Sequence, residues 1–343
     1  ELFNNLQSDD HLGLSMILLL FYDASILFEV SFQLMVLFRF IYVFDRINIP
    51  SRIKTYLLLF PFQLFHFHIC YPIELLFFQF YRNISGIYFV LGTLSLFFSS
   101  FSIPLNFLNK YMILYDKWIE NTFFIIGKPY LWWLVLWTIL LIQLLSKVKN
   151  TYYLKFIVLI FVQIHLVNFN PLGEVTFLDV GQGDAILIRE PFNGEIIMID
   201  VAGKQNQNLV EKRIYPYLRM EGIKEIDKVI ITHDDYDHSG GLNELKELVH
   251  VKEIIDYKTD KIVTKKLCFY NLNTNNYSDE NDNSLVLYTQ IGTLKYMFMG
   301  DASVKVERDI VNQFNKLKAD ILKVGHHGSN TSSDRDFLVQ IHP

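Results

Sequence analysis

Apolar residues are spread unevenly along the chain, and the long uncharged runs lie in its first half. Runs with at most one charged residue cover Thr55–Tyr81, Asn83–Asn109, Pro129–Ser146 and Phe156–Leu172. A helix that crosses the hydrocarbon of a bilayer needs about 20 mainly apolar residues. Backbone amides in lipid must bond within the segment, so these runs predict membrane helices.

A further apolar stretch, Leu12–Phe44, is interrupted by Asp23, Glu29 and Arg39, and it predicts a broken or amphipathic span. Transmembrane β-strands are disfavoured, because such strands alternate in polarity over about ten residues and these runs do not. The buried core of a large soluble protein remains the alternative, although core helices are seldom apolar on all sides over such lengths.

The pattern changes at Asn168–Gly173, a short polar segment with Pro and Gly. The second half combines short apolar strands with amphipathic helices, and their mixed order lacks the steady alternation of a doubly wound fold. We therefore expect packed sheets with helices outside. The predicted strands are Val175–Leu178, Ala185–Arg189, Ile196–Ile199, Lys228–Ile231, Val251–Ile255, Ser284–Tyr288, Thr293–Met299 and Ile321–Val324, and the predicted helices are Asn208–Met220, Leu242–Leu248 and Lys305–Leu317.

Charge follows the same division. Residues 1–168 carry 11 Lys and Arg and 9 Asp and Glu, whereas residues 169–343 carry 20 and 27. The 343 residues are 51% hydrophobic and 15% aromatic, which excludes a disordered chain. The net charge of −5 gives no basic footprint of a general DNA binder. We predict a membrane region over 1–168 and a soluble domain over 169–343.

The densest chemistry follows the predicted strand Lys228–Ile231. Here His233, Asp235, Asp237 and His238 stand within six positions. Such a group is repulsive and hard to desolvate unless a cation compensates it, and its nitrogen and oxygen donors suit Zn²⁺ or Mn²⁺. A solvated acidic loop is the alternative, but it would not need histidines at these spacings.

Two later strands end in compatible groups. Asp301 follows Met299-Gly300, and its carboxylate could bridge two metal ions. Val324 leads into Gly325-His326-His327-Gly328-Ser329. Either histidine could complete a metal site, and the other could donate a proton or bind substrate.

The motif His233-x-Asp235-x-Asp237-His238 resembles the signature of the metallo-β-lactamase superfamily, with Asp235 where His is usual. Together with the loop Phe177–Ala185 and the segment Gly325–Ser329, it resembles the ComEC family of competence proteins, which import transforming DNA. The likeness covers residues 173–343. The first half resembles the C-terminal part of the competence channel region less specifically.

This resemblance implies an αββα sandwich with one or two divalent ions, Zn or Mn, at one edge of its sheets. It implies catalytic roles for Asp237, Asp301 and His327, and a supporting role for Asp200. We assign substrate binding to Gly181, Gln182, Asp184 and Ser329, and metal binding to His233, Asp235, Asp237, His238, Asp301 and His326. No good match to the superfamily's third-motif His is present, which leaves one metal ion short of ligands.

The implied function is DNA uptake in natural transformation by a multi-pass protein of the cell membrane. Its extracytoplasmic nuclease domain would hydrolyse DNA phosphodiesters while one strand is imported. DNA, membrane lipid, other competence proteins and a DNA translocation motor are the expected partners. We also expect the chain to be a fragment, with its hydrolase domain truncated at the C-terminus. Two alternatives stay open: a channel or binding module with an inactive domain, and a membrane-tethered hydrolase of small substrates.

Overall fold

The structure is a computed structural model that describes residues 8–43, 49–120, 122–146, 150–192 and 194–343. The described residues fall into two units. The first holds residues up to Phe124 together with Pro129–Phe161, and the second holds Ile125–Lys128 together with Val162–Pro343.

Helices make up most of the first unit. They are α1 (Ser8–Tyr22), α2 (Val30–Val43), α3 (Ser51–Phe67), α4 (Glu74–Ser95), α5 (Ser102–Glu120), α6 (Leu131–Ser146) and α7 (Asn150–Asn168), with two-residue strands at β1 (Ile69–Cys70) and β2 (Phe124–Ile125). Within the described residues, no helix combines the length and the apolar character that crossing a membrane requires.

The uncharged run Asn83–Asn109 is divided between α4 and α5. The chain turns at residues 96–98, where Phe97 and Phe98 both donate backbone hydrogen bonds to the Leu94 carbonyl. Pro104 then lies in the first turn of α5, where its missing N–H leaves no bond unmade.

Two tryptophans organise the interior of the first unit. Trp133 and Trp137 on α6 are fully buried. Their indole nitrogens donate to the carbonyls of Leu159 on α7, at 2.7 Å, and Leu57 on α3, at 2.9 Å. Phe60 stacks on Trp137 with ring centroids 5.0 Å apart. Because a buried indole needs a partner for its N–H, these bonds fix how the three helices pack.

Two five-stranded sheets form the second unit. One has the order β3-β4-β5-β6-β7 and the other β12-β11-β10-β9-β8. In the first sheet β5, β6 and β7 are mutually parallel, and in the second β11 and β12 are parallel. The strands are β3 (Glu174–Phe177), β4 (Ile186–Arg189), β5 (Ile196–Ile199), β6 (Glu225–Ile230), β7 (His250–Ile255), β8 (Lys261–Val263), β9 (Cys268–Asn271), β10 (Leu287–Ile291), β11 (Leu294–Phe298) and β12 (Ile321–Lys323).

Alternation along the strands produces three apolar layers. On β5, Ile197 and Ile199 face a core shared with residues of the second sheet, whereas Met198 faces the opposite side. That opposite side is covered by a π-helical turn (Val210–Ile214) and by α8 (Tyr215–Met220) and α10 (Leu242–Leu248). The outer side of the second sheet is covered by α11 (Val304–Gln313) and α12 (Arg335–Ile341). The domain is an αββα sandwich, as the resemblance implied.

Differences from the predicted elements are local. The strand predicted at Ser284–Tyr288 instead begins at Leu287, because the Leu285 amide donates to the Thr232 carbonyl and ties this segment to the other sheet. Strands β8 and β9 and helix α12 were not predicted, since they are short and their apolar positions do not repeat over a full window.

The shared core between the sheets gives a first prediction. Ile197 is fully buried there, so Ile197→Ala should lower the free energy of unfolding by about 2–5 kcal/mol. Hydrogen exchange should report the change in peptides that contain Ile186–Arg189. Val263→Ala on β8, where the side chain is 57% exposed, is the matched control and should change exchange little. Equal effects of the two substitutions would contradict this packing.

Candidate metal centre

Polar side chains collect where neighbouring strands end. Asp200 directly follows β5, and Thr232 and His233 follow β6, which is parallel to β5. In the other sheet, Asp301 follows β11 and the segment Gly325–Gly328 follows the parallel β12. Parallel strands end at the same edge of a sheet, so each sheet brings its polar groups to one edge.

Asp200 is the most completely bonded of these groups. Its carboxylate accepts the Thr232 amide at 2.7 Å, the Thr232 hydroxyl at 2.8 Å and His238 Nδ1 at 2.8 Å, and the residue is 1% exposed. When His238 Nδ1 donates to Asp200, the Nε2 lone pair of the neutral ring faces the site. The backbone of Asp200 is left-handed, with φ of 58°.

Four side chains converge beside this bond. Asp184, His238, Asp301 and His327 each offer a ligand atom, and these atoms lie within 4.8 Å of one another. We call these four residues the acidic-imidazole cluster. His238 Nε2 lies 3.1 Å from Asp301 Oδ1, and His327 Nε2 lies 3.4 Å from Asp301 Oδ2. Asp301 therefore presents one oxygen to each histidine.

Asp237 borders the cluster on its exposed side. Its Oδ2 lies 3.2 Å from His327 Nε2, and its side chain is 38% exposed. His233 lies on the inner side, with its ring centroid 4.2 Å from that of His238. His233 Nε2 lies 3.6 Å from Asp235 Oδ2. Among the described residues only the four-residue cluster groups three or more ligands this closely, so His233 and Asp235 form a pair.

Unpartnered buried atoms show that the donor set fits a cation. His233 Nε2, His238 Nε2 and Asp301 Oδ1 are buried, and within the described ranges none of them has a hydrogen-bond partner. A buried polar atom without a partner is costly and requires an explanation. Imidazole nitrogens beside carboxylate oxygens are the ligands that Zn²⁺ and Mn²⁺ accept, so a divalent ion would satisfy these atoms.

The pKa values of the metal-free chain also favour a cation at this site. Burial lowers the pKa of His238, but the carboxylates of Asp200 and Asp301 beside its ring outweigh burial and raise that pKa to about 10. Burial raises the pKa of Asp301, yet the neighbouring imidazoles and an ammonium bring it to about 2. Burial also lowers the pKa of His233. The site thus favours ionised carboxylates that require positive charge nearby.

The glycine loop before β4 is bound closely to the main motif. The Asp184 amide donates to the Asp237 carbonyl, and the Ala202 amide donates to the Asp184 carbonyl. Gly183 has φ of 97°, and a Cβ there would lie 2.3 Å from the Asp237 carbonyl oxygen. Only glycine allows this approach, which brings Asp184 into the cluster.

The structure places the two adjacent histidines differently, and the sequence had left open which of them would join the metal site. His327 joins the cluster, whereas His326, which we assigned to the metal, instead places Nδ1 3.1 Å from the Thr331 hydroxyl. Both histidines have left-handed backbones, with φ of 45° and 52°. Asp184, which we assigned to substrate binding, lies among the potential metal ligands.

The other residues that we assigned to substrate binding stay outside the cluster. Gly181 and Gln182 lie in an exposed bend of the glycine loop. The Ser329 hydroxyl lies 3.4 Å from Asn330 Oδ1. Nothing in their surroundings identifies a ligand.

One residue of the site was not predicted. Lys323, the last residue of β12, forms an ion pair with Asp184 and donates to the Gly300 carbonyl at 3.0 Å. A signal was present in the sequence, since Lys323 is the one charged residue of the strand Ile321–Val324 and lies two residues before the segment Gly325–Ser329.

Comparison with known proteins identifies a family model and several relatives that the chain resembles. The metallo-beta-lactamase superfamily model matches residues 178–267. ComE operon protein 3 of Bacillus subtilis is 28% identical over 96% of this chain and 52% of its own length. Recombination protein 2 of Haemophilus influenzae is 33% identical over 55% of this chain and 25% of its own. Competence protein ComA of Neisseria gonorrhoeae is 26% identical over 50% and 26%. The chain spans about half the length of the first of these relatives and about a quarter of the other two.

The glycine loop provides a matched pair of substitutions. Both Gly181 and Gly183 have positive φ, but an added Cβ at Gly181 meets open space. Gly181→Ala should cost only the left-handed backbone penalty, about 1–2 kcal/mol. Gly183→Ala must also push the Asp237 carbonyl away, so we expect a larger loss of thermal stability and weaker Mn²⁺ binding by calorimetry. Equal behaviour of the two variants would contradict the close approach.

Proposed function

Because this chain belongs to the ComEC family of competence proteins and carries a metallo-β-lactamase domain, we propose that it cleaves DNA during DNA uptake. The second unit would be a metal-dependent phosphodiester hydrolase. The observation that carries this proposal is the acidic-imidazole cluster at the joined strand ends, with its unpartnered buried nitrogen and oxygen atoms.

Within the proposed centre, His238, Asp301 and His327 would hold the ion, either Zn²⁺ or Mn²⁺. When bound, a divalent ion supplies a Lewis acid that polarises a phosphoryl oxygen and activates water. Asp200 keeps His238 in one orientation through its 2.8 Å hydrogen bond. Because Asp200 is fully buried and also bonded to Thr232, a substrate cannot displace it.

His327 and Asp237 are suited to contact substrate. The His327 side chain is 32% exposed, in contrast to the buried His238 and Asp301. In the metal-free chain, a hydrogen bond that the ring donates to Asp184 is the main cause that raises the pKa of His327. An imidazole that binds an ion through one nitrogen is neutral and keeps an N–H on the other, and at the open side of the centre that N–H can donate to a phosphate oxygen.

The names of the relatives support DNA as the proposed substrate of this chain. The names of two relatives refer to recombination and competence, and the ComEC resemblance predicts import of one strand and hydrolysis of the other. The chain covers only part of each relative, so the activity of the whole protein is part of the proposal. Other competence proteins and a translocation motor are its proposed partners.

Exposed apolar surface supports a membrane role for the first unit. Leu131 is 78% exposed, Phe89 74%, Leu154 63% and Ile157 62%. Large apolar side chains that are exposed to this extent favour contact with lipid or with other proteins. We propose that this unit is embedded in the cell membrane as part of the DNA channel, and that the second unit faces the cell exterior.

The nuclease proposal is tested by substitution at Asp301. Asp301→Asn removes the charge shared by both histidines, so cleavage of linear duplex DNA with added Mn²⁺ should fall about 100- to 1,000-fold. Asp336→Asn is the matched control, because Asp336 is exposed on α12 and lies outside the cluster. It should cleave at the parent rate.

Chelation by EDTA should abolish cleavage by the parent chain, and added Mn²⁺ should restore it. Intact DNA with a metal-loaded parent chain would contradict the nuclease proposal and favour an inactive binding module. Equal rates for Asp301→Asn and the parent would show that the observed cleavage belongs to a contaminant.

The proposed topology is tested on intact cells. An external protease should remove an epitope placed after Pro343, because the second unit would face the exterior, while a cytoplasmic marker stays intact. Protection of the epitope until the cells are lysed would contradict this orientation.

A further inference from the structure

Lys323 occupies an unusual place for a lysine. It ends β12 with its side chain only 10% exposed. Its ammonium forms an ion pair with Asp184, lies 3.9 Å from Asp301 Oδ1 and donates to the Gly300 carbonyl at 3.0 Å. All of its close acceptors therefore belong to the metal centre or to the residue before Asp301.

The position of this ammonium bears on how many ions the centre accepts. Asp184 and Asp301 are the two carboxylates of the acidic-imidazole cluster, and Lys323 faces an oxygen of each. A second divalent ion shared by these two carboxylates would lie within a few ångströms of the ammonium. Like charges at that distance repel strongly where little solvent enters.

The inner side of the centre independently lacks ligands for a second ion. His233 and Asp235 form a pair there, and no third His, Cys, Asp or Glu of the described ranges completes a group with them. A structural or catalytic zinc site normally uses at least three protein ligands. The pair alone is insufficient to hold an ion tightly.

We propose that Lys323 is a built-in cation that takes the place of a second metal ion, so that the centre holds one divalent ion. The inference rests on the proposed metal centre and specifies its composition. His238, Asp301 and His327 hold the ion, and Asp184 is the partner of Lys323. Lys323 is a positioning residue, because its ammonium fixes the carboxylates and is not required to contact substrate.

The test is the metal content of the purified full-length chain. After saturation with Mn²⁺ and removal of unbound metal, elemental mass spectrometry should find about one ion per chain. Lys323→Met keeps much of the side-chain volume but removes the charge, so it should bind about two. Lys323→Arg should stay at about one, as should Lys316→Met, an exposed lysine outside the centre.

A second variant keeps the test decisive if Lys323→Met does not fold. Since Asp184 is assigned to Lys323 and not to the ion, Asp184→Asn should keep one Mn²⁺ with affinity within about threefold of the parent. Loss of the ion from this variant would overturn the assignment. Thermal melting of each variant should confirm that it is folded.

The outcomes separate this inference from the proposed function. Two ions bound to the parent, with DNA cleavage intact, would overturn the role of Lys323 alone. One ion in Lys323→Met, or none, would overturn it as well. A parent chain that binds no Mn²⁺ or Zn²⁺ would overturn both the inference and the proposed hydrolase.

Discussion

The hydrogen bond between Asp200 and His238 is the interaction on which the centre depends. Asp200 follows one strand, Thr232 follows its parallel neighbour, and His238 lies on the short helix α9 (Tyr236–Ser239) beyond them. One buried carboxylate thus joins three segments of the chain. Because all of its bonds are internal, it cannot shift without breaking them, and His238 Nε2 keeps a fixed direction toward Asp301. The fixed direction of His238 Nε2 thus defines the position toward which the other proposed ligands, Asp301 and His327, converge.

Without a bound ion, the strand ends that carry the metal centre are energetically unfavourable in the folded chain. The two sheets bury apolar layers efficiently, yet they enclose unpartnered atoms of His233, His238 and Asp301 where the strands end. Burying polar atoms without partners destabilises a fold. A metal ion would bind only the folded chain, because the unfolded chain has no preformed site, and its binding would therefore stabilise the fold. Left-handed backbones at Asp200, Ala202, His326 and His327 surround the same edge. Strain of this kind persists where the surrounding structure enforces it, and it is typical of functional sites.

The sequence was sufficient for the parts of the site that follow strand ends. His233, His238 and Asp301 could be predicted because a run of apolar residues locates each strand and the polar group follows directly. The choice between His326 and His327 could not, since adjacent residues differ only in direction and a left-handed backbone sets that direction. The ion pair between Asp184 and Lys323 was not predicted, for a different reason. Their roles depend on contacts between segments more than a hundred residues apart, which local pattern does not contain.

The acidity of the second half limits what its centre can do. Residues 169–343 carry seven more acidic than basic residues, so the domain as a whole repels a phosphodiester. Attraction must come from groups inside the site: the metal ion and Lys323. These act over a few ångströms, whereas the net charge acts out to about a Debye length, near 8 Å in physiological salt. A nuclease of the proposed kind would hold free DNA weakly and would depend on delivery of the strand that it cleaves. Such dependence on delivery would suit the proposed role, in which one strand is degraded while its complement survives.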